Sequence, residues 1–305
     1  MTSADVVGTA AHAPTRPAPG VVRVLSRAEA PNEVLLVRRR SRHLVILKRL
    51  RAELEHREDL VLRLEQERRI LALLGGQAGL VALDSPPLPY PNSLTLRFLG
   101  GGSLRERING GRTGLSRVDS AVGVTLDVLR TLSHLHRHQV IHRDINPANV
   151  VFDGNDRAWL IDLSVAAMGC PARGLPAGWE EGRVGTIPYT APEAVMQPAA
   201  PAHPSVDLYG IGVMLWEMIT GQRPFERRAD EAPVAFARRV ADSRLPHAAL
   251  LAHRAGPNVT RVVSALLAPS PSERPQSADE VAATLRSTMP NEAQQSRAPG
   301  RPVRL

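Results

Sequence analysis

VIHRDINPANVVFDGNDRAWLIDLSVAA, residues Val140–Ala167, decides how the rest of the chain is read. Two short apolar runs, Asn149 to Phe152 and Ala158 to Ile161, flank the turn-forming Asp153-Gly154-Asn155-Asp156, and the pattern predicts a tight β-hairpin. Asp144 and Asn149 precede the hairpin and Asp162 follows it, so three groups able to handle a metal or a proton sit at the open ends of one rigid ribbon. A bare D-x-x-x-x-N is by itself an ordinary turn and capping pattern. Its chemical reading depends on the sequence around it.

His142-Arg143-Asp144, then Asn149, then Asp162, resembles the catalytic loop and metal-binding motif of the protein kinase superfamily. The resemblance implies a transfer that asks little covalent work of the protein. It needs a carboxylate to orient and deprotonate the attacking hydroxyl, and hard oxygen ligands for Mg2+ against nucleotide phosphates. It gives Asp144 the first role, and Asn149 and Asp162 the second. Pro147 favours the serine/threonine type of loop over the tyrosine type.

Further motifs follow in the family's order. Val21 to Ser26, Glu33 to Arg38 and His43 to Leu47 read as three strands, the last ending in Val45-Ile46-Leu47-Lys48. That segment is similar to V-A-I-K, whose lysine reaches the α- and β-phosphates of ATP. A polar helix pattern from about Arg51 to Leu74 carries Glu67, which the resemblance pairs with Lys48. Glu65, two positions away, falls on another face. The leucines at 54, 60, 62, 64, 71 and 74 sustain no heptad, which argues against a coiled-coil partner helix. Leu94 to Leu99 reads as a strand entering Gly100-Gly101-Gly102-Ser103-Leu104, similar to a kinase hinge before a helix at Ser116 to His138. On this reading Leu96 backs the pocket, and the backbone of Arg97, Phe98 and Leu99 meets the adenine edge. Gly185-Thr186 and Tyr189-Thr190-Ala191-Pro192-Glu193 resemble the end of an activation segment. Val206 to Val213 resembles the buried helix whose aspartate, here Asp207, fixes the catalytic-loop backbone, and Arg274 is the implied partner of Glu193.

The chain departs from the family in four places. No glycine lies between Val21 and Lys48, so Arg27 to Asn32 must cover the phosphates without the glycine-rich turn that lets backbone amides close on them. Asn146 stands where such kinases carry lysine, which removes a positive charge from the γ-phosphate. Leu163-Ser164 replaces Phe-Gly, and serine lacks glycine's freedom at positive φ. Between Val165 and Val184 there is no Ser, Thr or Tyr, so Arg143 has no phosphate acceptor in that span and activity is expected not to depend on phosphorylation there.

The implied architecture is α+β and two-lobed. A small, mostly antiparallel β lobe with one regulatory helix occupies residues 21–99, and a larger, mainly helical lobe residues 100–288. Residues 1–20 read as a disordered leader and 289–305 as a disordered tail. A length of 305 residues and 43% hydrophobic content suit one such domain. No apolar run reaches membrane-spanning length and no secretory pattern opens the chain, so cytoplasm is the default. The single cysteine, Cys170, excludes an intrachain disulfide and argues against a zinc cluster. The net charge of +8 could attract nucleic acid, but with only 3% aromatic residues there are few stacking platforms. The charge is read instead as a solvated surface.

HRDINPAN followed by LIDLS looks most like bacterial serine/threonine kinase domains of the type attached to large sensory proteins. The implied activity is transfer of the ATP γ-phosphate to a protein hydroxyl, with ATP and Mg2+ as cofactors and a protein substrate or regulatory partner. The alternatives are a pseudokinase that binds partners without transferring phosphate, and a small-molecule phosphotransferase. The APE segment and the Asp207 helix weigh against the latter.

Overall fold

Alternating side chains build the first layer. In the computed structural model, which describes residues 20–28, 30–110, 117–169, 186–246 and 248–289, β1 (Val21–Val24), β2 (Asn32–Arg38), β3 (Leu44–Leu50) and β4 (Ser93–Arg97) pair antiparallel in the order β1-β2-β3-β4. The pleat sends Leu35, Val37, Val45 and Leu47 to one face, where Leu88 and Tyr90 cover them. Ile46, Leu50, Leu94 and Leu96 take the opposite face and join the main core. Lys48 shares their parity, opposite Leu94 in the ladder, and so points inward with them.

β3 runs past its expected end at Leu47. Lys48-Arg49 interrupts the apolar alternation, but Val34, Glu33 and Asn32 pair with Lys48, Arg49 and Leu50 and carry the ladder on. Lys48 is therefore a mid-strand residue whose side chain, not its backbone, leaves the sheet. The predicted long helix likewise begins later. A 3₁₀ turn at Ala52–Leu54 precedes α1 (Glu58–Leu74), which starts where Glu58 and Asp59 can complement the positive end of the helix dipole.

The larger lobe begins with α2 (Leu104–Asn109), whose Ser103 and Glu106 form a reciprocal capping box. It continues through α3 (Val118–Arg137), β5 (Val140–Ile141), the hairpin β6 (Val150–Phe152) and β7 (Ala158–Leu160), and β8 (Ala167–Met168). Then come α4 (Pro192–Met196), α5 (Ser205–Thr220), α6 (Pro233–Asp242), α7 (Ala248–Leu266, broken at Gly256-Pro257) and α8 (Ala278–Ser287). Every residue of α5 is buried, as expected of a helix apolar all round. A Cβ on Gly210 would stand 2.8 Å from the Ile145 Cβ, so the loop around residue 145 lies directly on the α5 backbone. One apolar core links both lobes, from Leu50 and Ile70 through Leu129 and Phe152 to Trp216. The fold is α+β with the two predicted lobes.

Among the described residues no helix is long and apolar enough to cross a membrane. Residues 1–19 of the expected leader, the tail beyond Met289, Cys170, Gly185 and most of the Val165–Val184 span lie outside the described residues, whereas Gly20, which accepts from the Arg38 N–H, and the buried Met289 are placed against the fold.

Candidate active site

Where the two lobes face each other, Lys48 donates from Nζ to Glu67 Oε2 at 2.7 Å and to Asp162 Oδ1 at 2.9 Å. Glu67 projects from the inner face of α1 and is 0% exposed, while Lys48 is 4% exposed. Glu65 points away and pairs with Arg68 and Arg69, as helical periodicity requires. Burial works against the Lys48 ammonium, but Asp162 and Glu67 outweigh it and hold its pKa above the ordinary lysine range. Burial also opposes an ionised Asp162, yet Lys48 and Ser164 hold that carboxyl well below the usual range. Glu67, the more deeply buried acid, is pushed up by burial, with Lys48 opposing. Backbone N–H groups complete the arrangement: Leu163 donates to Glu67 Oε1 at 3.3 Å and Ser164 to Asp162 Oδ1 at 3.0 Å. The left-handed conformation in this stretch falls on Asp162 (φ 65°) and not on Ser164.

The hairpin closes the geometry from the other side. Ile161 donates its N–H to the Asn149 carbonyl at 2.9 Å, which sets Asp162 beside Asn149 across the base of β6 and β7. Asn149 Nδ2 donates to Asp144 Oδ2 at 2.8 Å and to the Asp144 carbonyl at 2.9 Å. Below, Asp207 of α5 accepts from the backbone N–H of His142 at 2.9 Å and of Arg143 at 2.7 Å, and its Oδ2 meets His136 Nε2 at 2.8 Å. These bonds hold Arg143 in a left-handed conformation, φ 66°. Burial opposes the Asp207 charge, but the His136 hydrogen bond and neighbouring histidines keep its pKa lowered.

A family model of the protein kinase domain matches residues 32–285. The chain belongs to the protein kinase family. It is 28% identical over 251 residues to a probable serine/threonine-protein kinase, pknA2, of Bifidobacterium longum, covering 81% of this chain and 32% of that protein. It is 29% identical over 245 residues to the probable serine/threonine-protein kinase SCO3848 of Streptomyces coelicolor, covering 78% and 35%. To the serine/threonine-protein kinase PknB of Mycobacterium tuberculosis it is 28% identical over 253 residues, covering 79% and 38%. The chain thus spans about a third of the length of these curated relatives.

In this kinase domain the predicted site residues fall into two groups. Lys48, Glu67, Asp144, Asn149 and Asp162 are connected by the bonds above. The hinge residues differ from one another. Leu96 is buried opposite Ile46, but the Arg97 N–H is committed to the Ala82 carbonyl at 3.0 Å and its guanidinium lies over the Trp159 ring. An adenine edge would therefore be met by the Arg97 carbonyl and by the backbone of Phe98 and Leu99. The donor set suits Mg2+: with its amide nitrogen turned to Asp144, Asn149 presents its oxygen, and Asp162 adds carboxylate oxygen. Among the described residues no group of three or more His, Cys, Asp or Glu could hold a metal ion. These ligands would thus hold a cation only jointly with phosphate oxygens and water.

Several residues at the site were not singled out from sequence. Gln66 Nε2 donates to the Ala166 carbonyl at 2.6 Å and ties α1 to the segment after Asp162. It lies on a polar face of α1, with no periodic signal to mark it. Arg51 donates to the carbonyls of Ala30 at 2.7 Å and Arg27 at 2.9 Å, pinning the glycine-free β1–β2 turn. Glu217 of α5 accepts from Arg105 at 2.7 Å and from the Tyr189 hydroxyl at 2.5 Å. The implied Glu193–Arg274 pair is two-pronged, at 2.7 and 2.8 Å.

Proposed function

We propose that this domain is an active serine/threonine protein kinase that transfers the γ-phosphoryl group of ATP to a protein hydroxyl. The observation that carries this reading is Lys48 of β3, bonded at once to Glu67 and to Asp162, the latter set by the base of the β6–β7 hairpin beside Asn149 and its partner Asp144. Phosphoryl transfer depends mainly on positioning and on compensating charge. Glu67 keeps Lys48 extended from β3 so that its ammonium meets the α- and β-phosphates. Asp144 orients the substrate hydroxyl and accepts its proton. Asn149 and Asp162 would hold Mg2+, which supplies charge neutralisation at the phosphates. Leu96 backs the base side of the nucleotide, and the Arg97 carbonyl with the backbone of Phe98 and Leu99 meets the adenine edge. Pro147 and the names of the relatives support serine or threonine as acceptor.

A second reading, a pseudokinase serving as a partner-binding module, draws on the glycine-free turn that Arg51 ties down. Mg2+-dependent transfer of radiolabelled γ-phosphate to the protein itself and to a generic basic protein separates the two. Label that is lost in Asp144→Ala supports the kinase. Folded wild-type protein as silent as Asp144→Ala favours the pseudokinase.

A further inference from the structure

Asn146 stands at a position where the sequence showed only a missing positive charge. The side chain is not idle, since the residue is just 3% exposed and both ends of its amide are engaged. Nδ2 donates to Asp144 Oδ1 at 3.0 Å and to the Asp144 carbonyl at 3.2 Å. Oδ1 accepts from the Ala148 N–H at 2.9 Å and caps the 3₁₀ turn Pro147–Asn149. Because Asn149 Nδ2 donates to the other Asp144 oxygen, each carboxylate oxygen receives one amide. Two donors on opposite oxygens fix the plane as well as the place of the group.

We propose that Asn146 is a positioning residue, a neutral donor that, with Asn149, sets the plane of the Asp144 carboxylate for the incoming hydroxyl. The proposal rests on the kinase reading above, in which Asp144 meets that hydroxyl. Cap and clasp belong to opposite ends of one amide, so they can be separated. Asn146→Asp keeps the shape and the acceptor for Ala148 but loses the donor. Asn146→Lys restores a donor within reach of Asp144 and loses the cap. Asn146→Ala loses both.

The test is steady-state transfer by the full chain with ATP and protein substrate varied in turn, together with crystal structures of wild type and Asn146→Ala. Asn146→Asp is expected to lower kcat about 10- to 100-fold, the scale for a reacting group displaced by a fraction of an ångström to an ångström, and to lower the melting temperature as well, because a second buried carboxylate then faces Asp144. Asn146→Lys should recover most of kcat, which a purely capping role would not allow. Wild-type kcat in Asn146→Asp overturns the proposal. So does an Asp144 carboxylate that keeps its place and plane in the Asn146→Ala crystal. If wild type transfers no phosphate, the kinase reading falls, and the crystals still decide whether Asn146 sets the carboxylate.

Discussion

Replacing Lys48 by methionine should cost more stability than replacing Glu67 by glutamine, even though both changes touch the same ion pair. Lys48 is bonded to two acids, at 2.7 and 2.9 Å. Methionine keeps the aliphatic bulk and leaves Glu67 and Asp162 facing each other without a cation. Removing one partner of a buried pair costs about 3–5 kcal/mol because the remaining charge is stranded, and here two charges are left. Glu67→Gln instead leaves Lys48 bonded to Asp162 and keeps an acceptor for the Leu163 N–H, so the expected loss is roughly 1–2 kcal/mol. Urea unfolding followed by circular dichroism near neutral pH measures both. The pH dependence gives a second check. In Lys48→Met the Glu67 carboxyl, already pushed up by burial, loses the cation that opposed the shift. A carboxyl whose folded pKa is raised contributes stability that is lost as pH rises through that value. The deficit of Lys48→Met relative to wild type should therefore shrink as the pH is lowered from about 8 to about 5. The reasoning is refuted if Glu67→Gln proves the more costly change, or if the Lys48→Met deficit grows on acidification.

Arg274→Met should cost about 2–4 kcal/mol in the same assay. The figure sits below the fully buried case because the Glu193 side chain retains 24% exposure, and a loss under half a kilocalorie would show that the pair is not structural. The lowered pKa of Asp207 means that its stabilisation is complete above the unfolded carboxylate range and lost as pH falls. Asp207→Asn should accordingly flatten the acid side of a plot of melting temperature against pH, and an unchanged slope would contradict this. Arg51→Ala should weaken binding of a non-hydrolysable ATP analogue about tenfold, equivalent to roughly 1.4 kcal/mol, by freeing the turn at Arg27 and Ala30. Calorimetric titration giving wild-type affinity would remove Arg51 from the nucleotide site.

The parts of the site that could be read from sequence are those fixed by local geometry. Asp144, Asn149 and Asp162 come together because a hairpin of fixed length joins them, and turn residues with alternating apolar positions announce a hairpin. Glu67 could be told from Glu65 because helical periodicity is equally local. The end of β3 was misjudged at Leu47 because it depends on pairing with Asn32 and Glu33, a match between distant segments. That Ala82 takes the Arg97 N–H, leaving the carbonyl as the group that could face a base, could not be read from the strand's sequence because it too is a match between distant segments. Gln66 and Arg51 were missed, and Asn146 was read only as a lost charge, for a related reason. Each acts through one particular rotamer reaching one particular atom, and a polar residue in a loop or on a helix surface looks the same whether or not it finds such a partner.

The buried α5 also says how a chain of this kind can change over generations. The loop that carries Asp144 rests on α5 through Gly210 and Asp207, and a single added methyl at residue 210 would press on Ile145. Variation on that helix is thus confined to apolar exchanges that keep its volume and spare residues 207 and 210, while the β1–β2 turn, held from outside by Arg51, is far from that constraint. Drift should accumulate at the rim first, so such a domain would tend to lose its grip on nucleotide before it lost the placement of its reacting groups.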